Sequence, residues 1–186
     1  MSEYTCHSGG AIGSDMYWEI EGEKYGVKTI AYSFHYHNTE SKNKQILSDT
    51  EIAEGWEHIK IADKTLKRGM SCNIKLYIWR LLSRNWFQVK NSETIFAIGE
   101  FVNTKKTKVK GGTGWAVQMG IDNNKDVYVF NQSNDTWYRY WHVQGNFIPY
   151  YDIPVLPKNF AGIGTRELTK TGKKAIKEIY NFNFSK

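Results

Sequence analysis

The apolar positions of this chain fall into two rhythms, short runs that suit strands and spacings of three and four that suit helices. EYTCHSGG (3–10) opens extended and runs into glycines. SDMYWEIEGEKYG (14–26) then reads as a helix, with Ser14 as cap and Gly26 as stop, and VKTIAYSF (27–34) as a strand. Strand, glycine loop, helix, strand is the building unit of a parallel sheet. From Ser48 to Gly69 the residues Ile52, Trp56, Ile59 and Ala62 share one helical stripe. A second helix over 73–92 aligns Leu76, Trp79, Leu82, Trp86 and Val89, as expected of a central packing helix.

The unit then repeats. ETIFAIGEFV (93–102) is a near-continuous apolar run of the kind that fills a strand buried on both faces. A basic loop with glycines follows, then a helix over 113–124 and a strand over 126–132. Residues 133–157 are aromatic-rich and carry prolines that stop a helix, leaving an edge hairpin or a lid as the alternatives. Phe160–Ile163 form a third short strand, GTREL a turn, and Ala175, Ile176 and Ile179 one face of a last helix. With no linker or repeat, the expectation is one domain over 1–186: an α/β, Rossmann-like parallel sheet flanked by helices.

Composition narrows the classes. Forty per cent hydrophobic and 15% aromatic residues exclude a disordered chain. The net charge of +6 is densest in KKTKVK (105–110) and TKTGKKAIK (169–177), which read as solvated surface or as a field for anionic partners, nucleic acid included. Cys6 and Cys72 have no CxxC spacing, so neither a disulfide framework nor a zinc site is expected, and a reducing compartment suits them. No signal peptide or apolar run of about 20 residues is visible, so the expectation is a cytoplasmic protein without a membrane partner.

Three strands end in a glycine-bearing turn followed by a helix. In an open parallel sheet such turns share the carboxyl edge, where ligands bind. The candidate ligand-binding residues are Ser8, Gly9, Gly10, Ala11, Gly13, Ser14 and Asp15 in the first turn, Gly111, Gly112, Thr113 and Gly114 in the second, and Gly164, Thr165, Arg166 and Glu167 in the third. Helix starts offer unpaired N–H groups and a positive dipole end to an anion, glycines let it approach, and Ser8, Ser14 and Thr113 offer hydroxyls. A turn that uses glycine for packing alone is the competing reading. GGAIGSD lacks the lysine of a P-loop and does not match GxGxxG, which argues against a nucleoside triphosphatase and a dinucleotide dehydrogenase.

SGGAIGSDMYWE (8–19) resembles the SGGAxGxD motif of the SLOG superfamily, the DprA/LOG-like Rossmannoid group that includes molybdenum-cofactor-carrier-like proteins. GGTGWAVQMG (111–120) is similar to its second glycine motif and FAGIGTREL (160–168) to its GxGSRE strand-turn. In the family's familiar order the last of these comes first, so the resemblance implies a circularly permuted member, of phage or bacterial source. It implies a nucleotide-derived ligand such as an ADP-ribose or cyclic-nucleotide signal, bound or sequestered; no separate cofactor is expected. The alternative is a LOG-type phosphoribohydrolase, but that motif, similar to PGGxGTxxE, has Lys110 for its proline and Gln118 for its acid here. Glutamine is no general base. Asp15 and Glu167 are the carboxylates left, Asp15 as helix cap, ribose acceptor or acid/base, and Arg166 as phosphate ligand or partner of Glu167. DprA-like nucleic-acid binding ranks third, for want of a recognition helix or stacking platform.

Several other residues carry open alternatives. Arg84 and Asn85 lie opposite the Leu82/Trp86 stripe, as a solvated helix face or as a pocket wall or subunit contact. His35 and His37, spaced as HxH on a strand, with His7 beside them, make a weak metal candidate, and no metal is expected. Tyr32, Phe34 and Trp115 are core rings or stacking surfaces for a base. The large aromatics of 52–66 and 73–89 exceed what one sheet face needs, and so predict a homo-oligomer paired across a two-fold axis.

Overall fold

In the computed structural model, which describes residues 3–69 and 73–185, the chain runs β1 (Thr5–Ser8), α1 (Ser14–Glu23), β2 (Lys28–Phe34), β3 (Lys44–Leu47), α2 (Asp49–Leu66), α3 (Tyr77–Ser83), α4 (Asn85–Lys90), β4 (Thr94–Gly99), α5 (Thr113–Asp122), β5 (Asp126–Asn131), β6 (Thr136–Trp141), β7 (Asn146–Tyr150), β8 (Asn159–Gly164) and α6 (Lys170–Phe184). Cys72 lies outside the described residues. The strands join in one sheet of order β3-β2-β1-β8-β4-β5-β6-β7, parallel from β3 to β5 and antiparallel beyond. This is the α/β, Rossmann-like architecture expected.

β4 explains why the sheet is covered on both sides. Its alternate residues Ile95 and Ala97 join the core under α2–α5, while Phe96 and Ile98 join the core under α1 and α6. On the second face Trp18 of α1 packs against Phe96, Phe160 and Tyr180 with ring centroids 6.2, 6.3 and 5.6 Å away. Gly162 of β8 lies beneath it, where a Cβ would come within 2.6 Å of the indole. Burying each large side chain of this cluster is worth about 1.5–3 kcal/mol relative to exposure.

Winding direction reverses at the centre of the sheet. β1, β2 and β3 step outward on one side of β8, and β4 and β5 step outward on the other. β8, late in the sequence, thus occupies the central place from which the winding diverges. Tyr4 and Phe184 meet edge to face at 4.9 Å, so the start of β1 and the end of α6 are neighbours.

Two local expectations change, and two segments left open take shape. The helix expected over 73–92 begins at Tyr77 and breaks at Arg84, where Ser83 Oγ bonds back to the Trp79 carbonyl and the Ser83 carbonyl presses on Gly55 of α2. Ser14 is the first helical residue and not the cap of α1; the cap position is Gly13, at φ 104°. β3 follows β2 by an irregular return through 35–43, without a helix. Residues 133–157 contain the edge hairpin β6–β7, with Pro149 in the outermost strand.

The tryptophans that prompted the two-fold contact pack inside the subunit. Trp79 meets Trp56 at 5.8 Å and Trp115 at 5.9 Å, both edge to face. The large apolar side chains left exposed there are Ile61, Leu76, Tyr77 and Ile78. Among the described residues no helix is long and apolar enough to cross a membrane.

Candidate functional site

At the carboxyl edge of the sheet, where β8 and β4 wind apart, lies a cleft of about 700 Å³. Its size and its place at the reversal of strand order are those of a small-molecule site in a doubly wound fold. All three glycine turns reach it. Ala11 and Asp15 come from the first, Gly111, Gly112 and Thr113 from the second, and Gly164, Thr165, Arg166 and Glu167 from the third. Residues 133–157 do not line it, so the hairpin is no lid over this cleft.

The first turn ties several of its polar groups to the protein itself. Two of its N–H groups bond within the protein: Gly10 N–H donates to Ser8 Oγ, and Ser14 N–H to the Thr165 carbonyl at 3.0 Å. Gly9 N–H donates to Gln88 in the amide orientation that satisfies both ends of that side chain. The hydroxyls are committed as well, Ser8 Oγ to Glu19 Oε1 at 2.7 Å and Ser14 Oγ to the Thr165 carbonyl at 2.7 Å. Neither serine lines the cleft. Gly10 (φ 65°) adopts a left-handed conformation that its turn requires, and the bare Cα of Gly9 leaves room for the guanidinium of Arg84, which a Cβ would overlap.

Arg84 is the residue that the helix pattern left undecided. It is 4% exposed and joins Asn85 and Gln88 in the wall of the cleft, because the break between α3 and α4 turns it inward. Its Nη1 lies 3.2 Å from the Gln88 oxygen and its Nη2 4.0 Å from Asp15 Oδ2, while Nε has no partner among the described residues. Burial pulls its pKa below the ordinary value, but arginine stays charged. A buried cation with one loose ion pair and an unsatisfied N–H is a costly arrangement unless another acceptor completes it.

Asp15 is equally enclosed, at 5% exposure. Its Oδ1 accepts from Gly164 N–H at 2.9 Å, tying α1 to β8, and it makes no side-chain cap to its own helix. Burial pushes its carboxyl up to about 6, against the opposing pull of Arg84 and the Gly164 N–H. The Coulombic influence of Arg84 extends to His37, which burial and then Arg84, Lys44 and Arg166 hold down at about 4.

The second turn is where backbone donors stand open. Among the described residues the N–H groups of Gly111, Gly112 and Thr113 have no intramolecular partner, and α5 carries no side-chain cap. They face the cleft at the positive end of a ten-residue helix. Gly114 serves packing instead, since a Cβ there would strike the Val109 carbonyl. In the third turn Arg166 is exposed and makes no ion pair with Glu167 among the described residues. Gln132 fixes this turn by donating to the Glu167 carbonyl and accepting from Thr169 N–H. Lys110 pairs with Glu100 at 2.7 Å on the rim. Ile78, Leu81 and Leu82 of α3 give the same cleft an apolar wall.

Other candidates lie elsewhere. Tyr32, Phe34 and Trp115 are core residues that do not line this cleft. Gln118 is buried and donates to Asp122 Oδ1 at 2.8 Å, away from the cleft. β2 ends at Phe34, so His35 and His37 sit in a turn rather than on a strand, and His7 Nδ1 pairs with Tyr32 Oη at 3.0 Å. No cluster of three or more His, Cys, Asp or Glu side chains placed to hold a metal occurs among the described residues. Comparison of the chain with family models, with curated proteins and with solved structures gave no match.

Proposed function

We propose that this protein binds a phosphate-bearing, nucleotide-derived small molecule in the cleft at the β8/β4 junction. The observation that carries this reading is Arg84: a buried guanidinium with one loose ion pair, lining the same cleft as the free N–H groups that open α5. A phosphate there would accept from those N–H groups and pair with the guanidinium, and charge-assisted bonds of this kind contribute about 1.5–3 kcal/mol each. Arg166 adds a second fork at the exposed side. The apolar wall of α3 offers a surface to a base or sugar, which favours a nucleotide over inorganic phosphate.

The motif resemblance supports the finer form of the proposal, a signalling nucleotide such as an ADP-ribose or cyclic-nucleotide species held by a phage or bacterial protein. Calorimetric titration with ADP-ribose, cyclic nucleotides and AMP tests it, together with mass spectrometry of small molecules that co-purify. Binding that is weakened roughly tenfold or more in Arg166→Ala is expected; absence of binding across the panel overturns the proposal.

A second reading, an N-glycosidic nucleotide hydrolase, is favoured by one observation. Asp15 is a cleft carboxyl with a value near 6, where an acid or base works close to neutral pH. Chromatography after incubation separates the two readings: intact nucleotide supports binding alone, released base supports hydrolysis by Asp15.

A further inference from the structure

A second hollow, of about 570 Å³, opens beyond the carboxyl end of β2 and is lined by Phe34, His35, Tyr36, Tyr77 and Arg80 among others. We infer that it is a separate subsite for the planar ring of a nucleobase, stacked on Tyr36 beside Tyr77, with Lys75 and Arg80 facing an attached phosphate. Tyr36 supports this most directly. It stands at φ 67°, in the left-handed region, within a turn closed by His37 N–H on the Phe34 carbonyl at 2.9 Å. Glycine or asparagine is the low-energy occupant of such a position. The chain carries instead a tyrosine that is 99% exposed, so its ring gains nothing from the core to offset the strain.

The surroundings fit a flat anionic ligand. Tyr77 is half-exposed, with its ring 5.6 Å from the buried Phe34, which anchors it as a second wall. The Arg80 guanidinium lies 5.3 Å from the Phe34 ring centroid and pairs with Asp49 at 2.6 Å, and is thereby held at the edge of the hollow. Lys75 lines the hollow and has no ion pair among the described residues. Stacking faces, two cations and one carboxylate able to accept from an exocyclic amine are the elements of base recognition without sequence reading. The first turn of α3 separates this hollow from the main cleft, since Tyr77 and Arg80 line one and Ile78 and Leu81 the other.

The test uses AMP as probe and amide chemical shifts of the intact chain as readout, in wild type, Tyr36→Gly and Arg166→Ala. Millimolar AMP is expected to shift residues 34–37 and 75–77 in wild type and in Arg166→Ala, with affinity about tenfold weaker in Tyr36→Gly. Glycine suits the turn, so that variant keeps its fold. No shifts at these residues in wild type, shifts of equal affinity in Tyr36→Gly, or shifts that vanish in Arg166→Ala would each overturn the subsite. The last outcome would assign them to the main cleft. Failure of the main cleft to bind AMP leaves the 34–37 and 75–77 readout intact, so the two proposals fail separately.

Discussion

Replacing Asp15 by asparagine isolates the electrostatics of the cleft. Asparagine keeps the shape of the side chain and an oxygen for the Gly164 N–H, and removes the charge. In the folded protein the carboxyl lies at about 6 against 3.8 for an ordinary aspartate, because burial outweighs the pull of Arg84. A group raised on folding lends stability that is whole below about pH 4 and is lost as the pH rises through about 6. The rise corresponds to about 3 kcal/mol. Above pH 7 the wild type carries that cost and Asp15→Asn does not, so the variant is expected to melt roughly 6–12 °C higher at pH 8, given the response of a domain this size. The two proteins should converge near pH 4, where Asp15 is protonated. Thermal unfolding followed by circular dichroism between pH 4 and pH 8 measures this. A variant less stable than wild type at pH 8 would refute the reasoning, because Arg84 would then be the dominant influence on Asp15. Phosphate-bearing ligands should also bind Asp15→Asn more tightly, since a carboxylate no longer competes for Arg84.

Gly9→Ala places a Cβ onto the Arg84 guanidinium and within 2.5 Å of Asp15 Oδ2, so calorimetry should record loss of nucleotide binding together with a lowered melting temperature. Arg166→Ala, at an exposed position, is expected to change stability by less than about 0.5 kcal/mol while weakening a phosphate ligand roughly tenfold or more. Tyr36→Gly should leave denaturant stability unchanged or raise it by about 1 kcal/mol, the relief of a left-handed tyrosine, and a clear loss of stability would contradict the exposure of its ring. Any affinity for DNA should fall steeply with salt in a gel-shift series, since it would rest on the lysines of 105–110 and α6.

What could be read from the chain, and what could not, divides by the range of the interaction. β4 was legible because a strand buried on both faces must be apolar throughout, and the two βαβ units because glycine turns and helix periodicity are local signals. β3 was not: KQIL is short and its first three residues are exposed, so no pattern marks it as a strand. The break at Arg84 depends on Gly55 of another helix, and without the break Arg84 reads as one more solvated cation. The glycine turns were located correctly at one edge, but their division of labour was hidden. The first turn commits the N–H groups of Gly9, Gly10 and Ser14 to the scaffold and makes room for an arginine, and the second keeps those of Gly111, Gly112 and Thr113 open. Only Gln88, a long way along the sequence, shows why Gly9 N–H is not free.

The position of β8 has a consequence for how the protein is made. β1 and β4 do not pair with each other; each pairs with β8, the last of the eight strands to leave the ribosome. Until it arrives, β3-β2-β1 and β4-β5-β6-β7 are two half-sheets with bare inner edges, each an invitation to mispairing. Closure of the core therefore waits on residues 159–164, and the nascent chain should be most vulnerable to aggregation, and most dependent on chaperones, just before its final strand emerges.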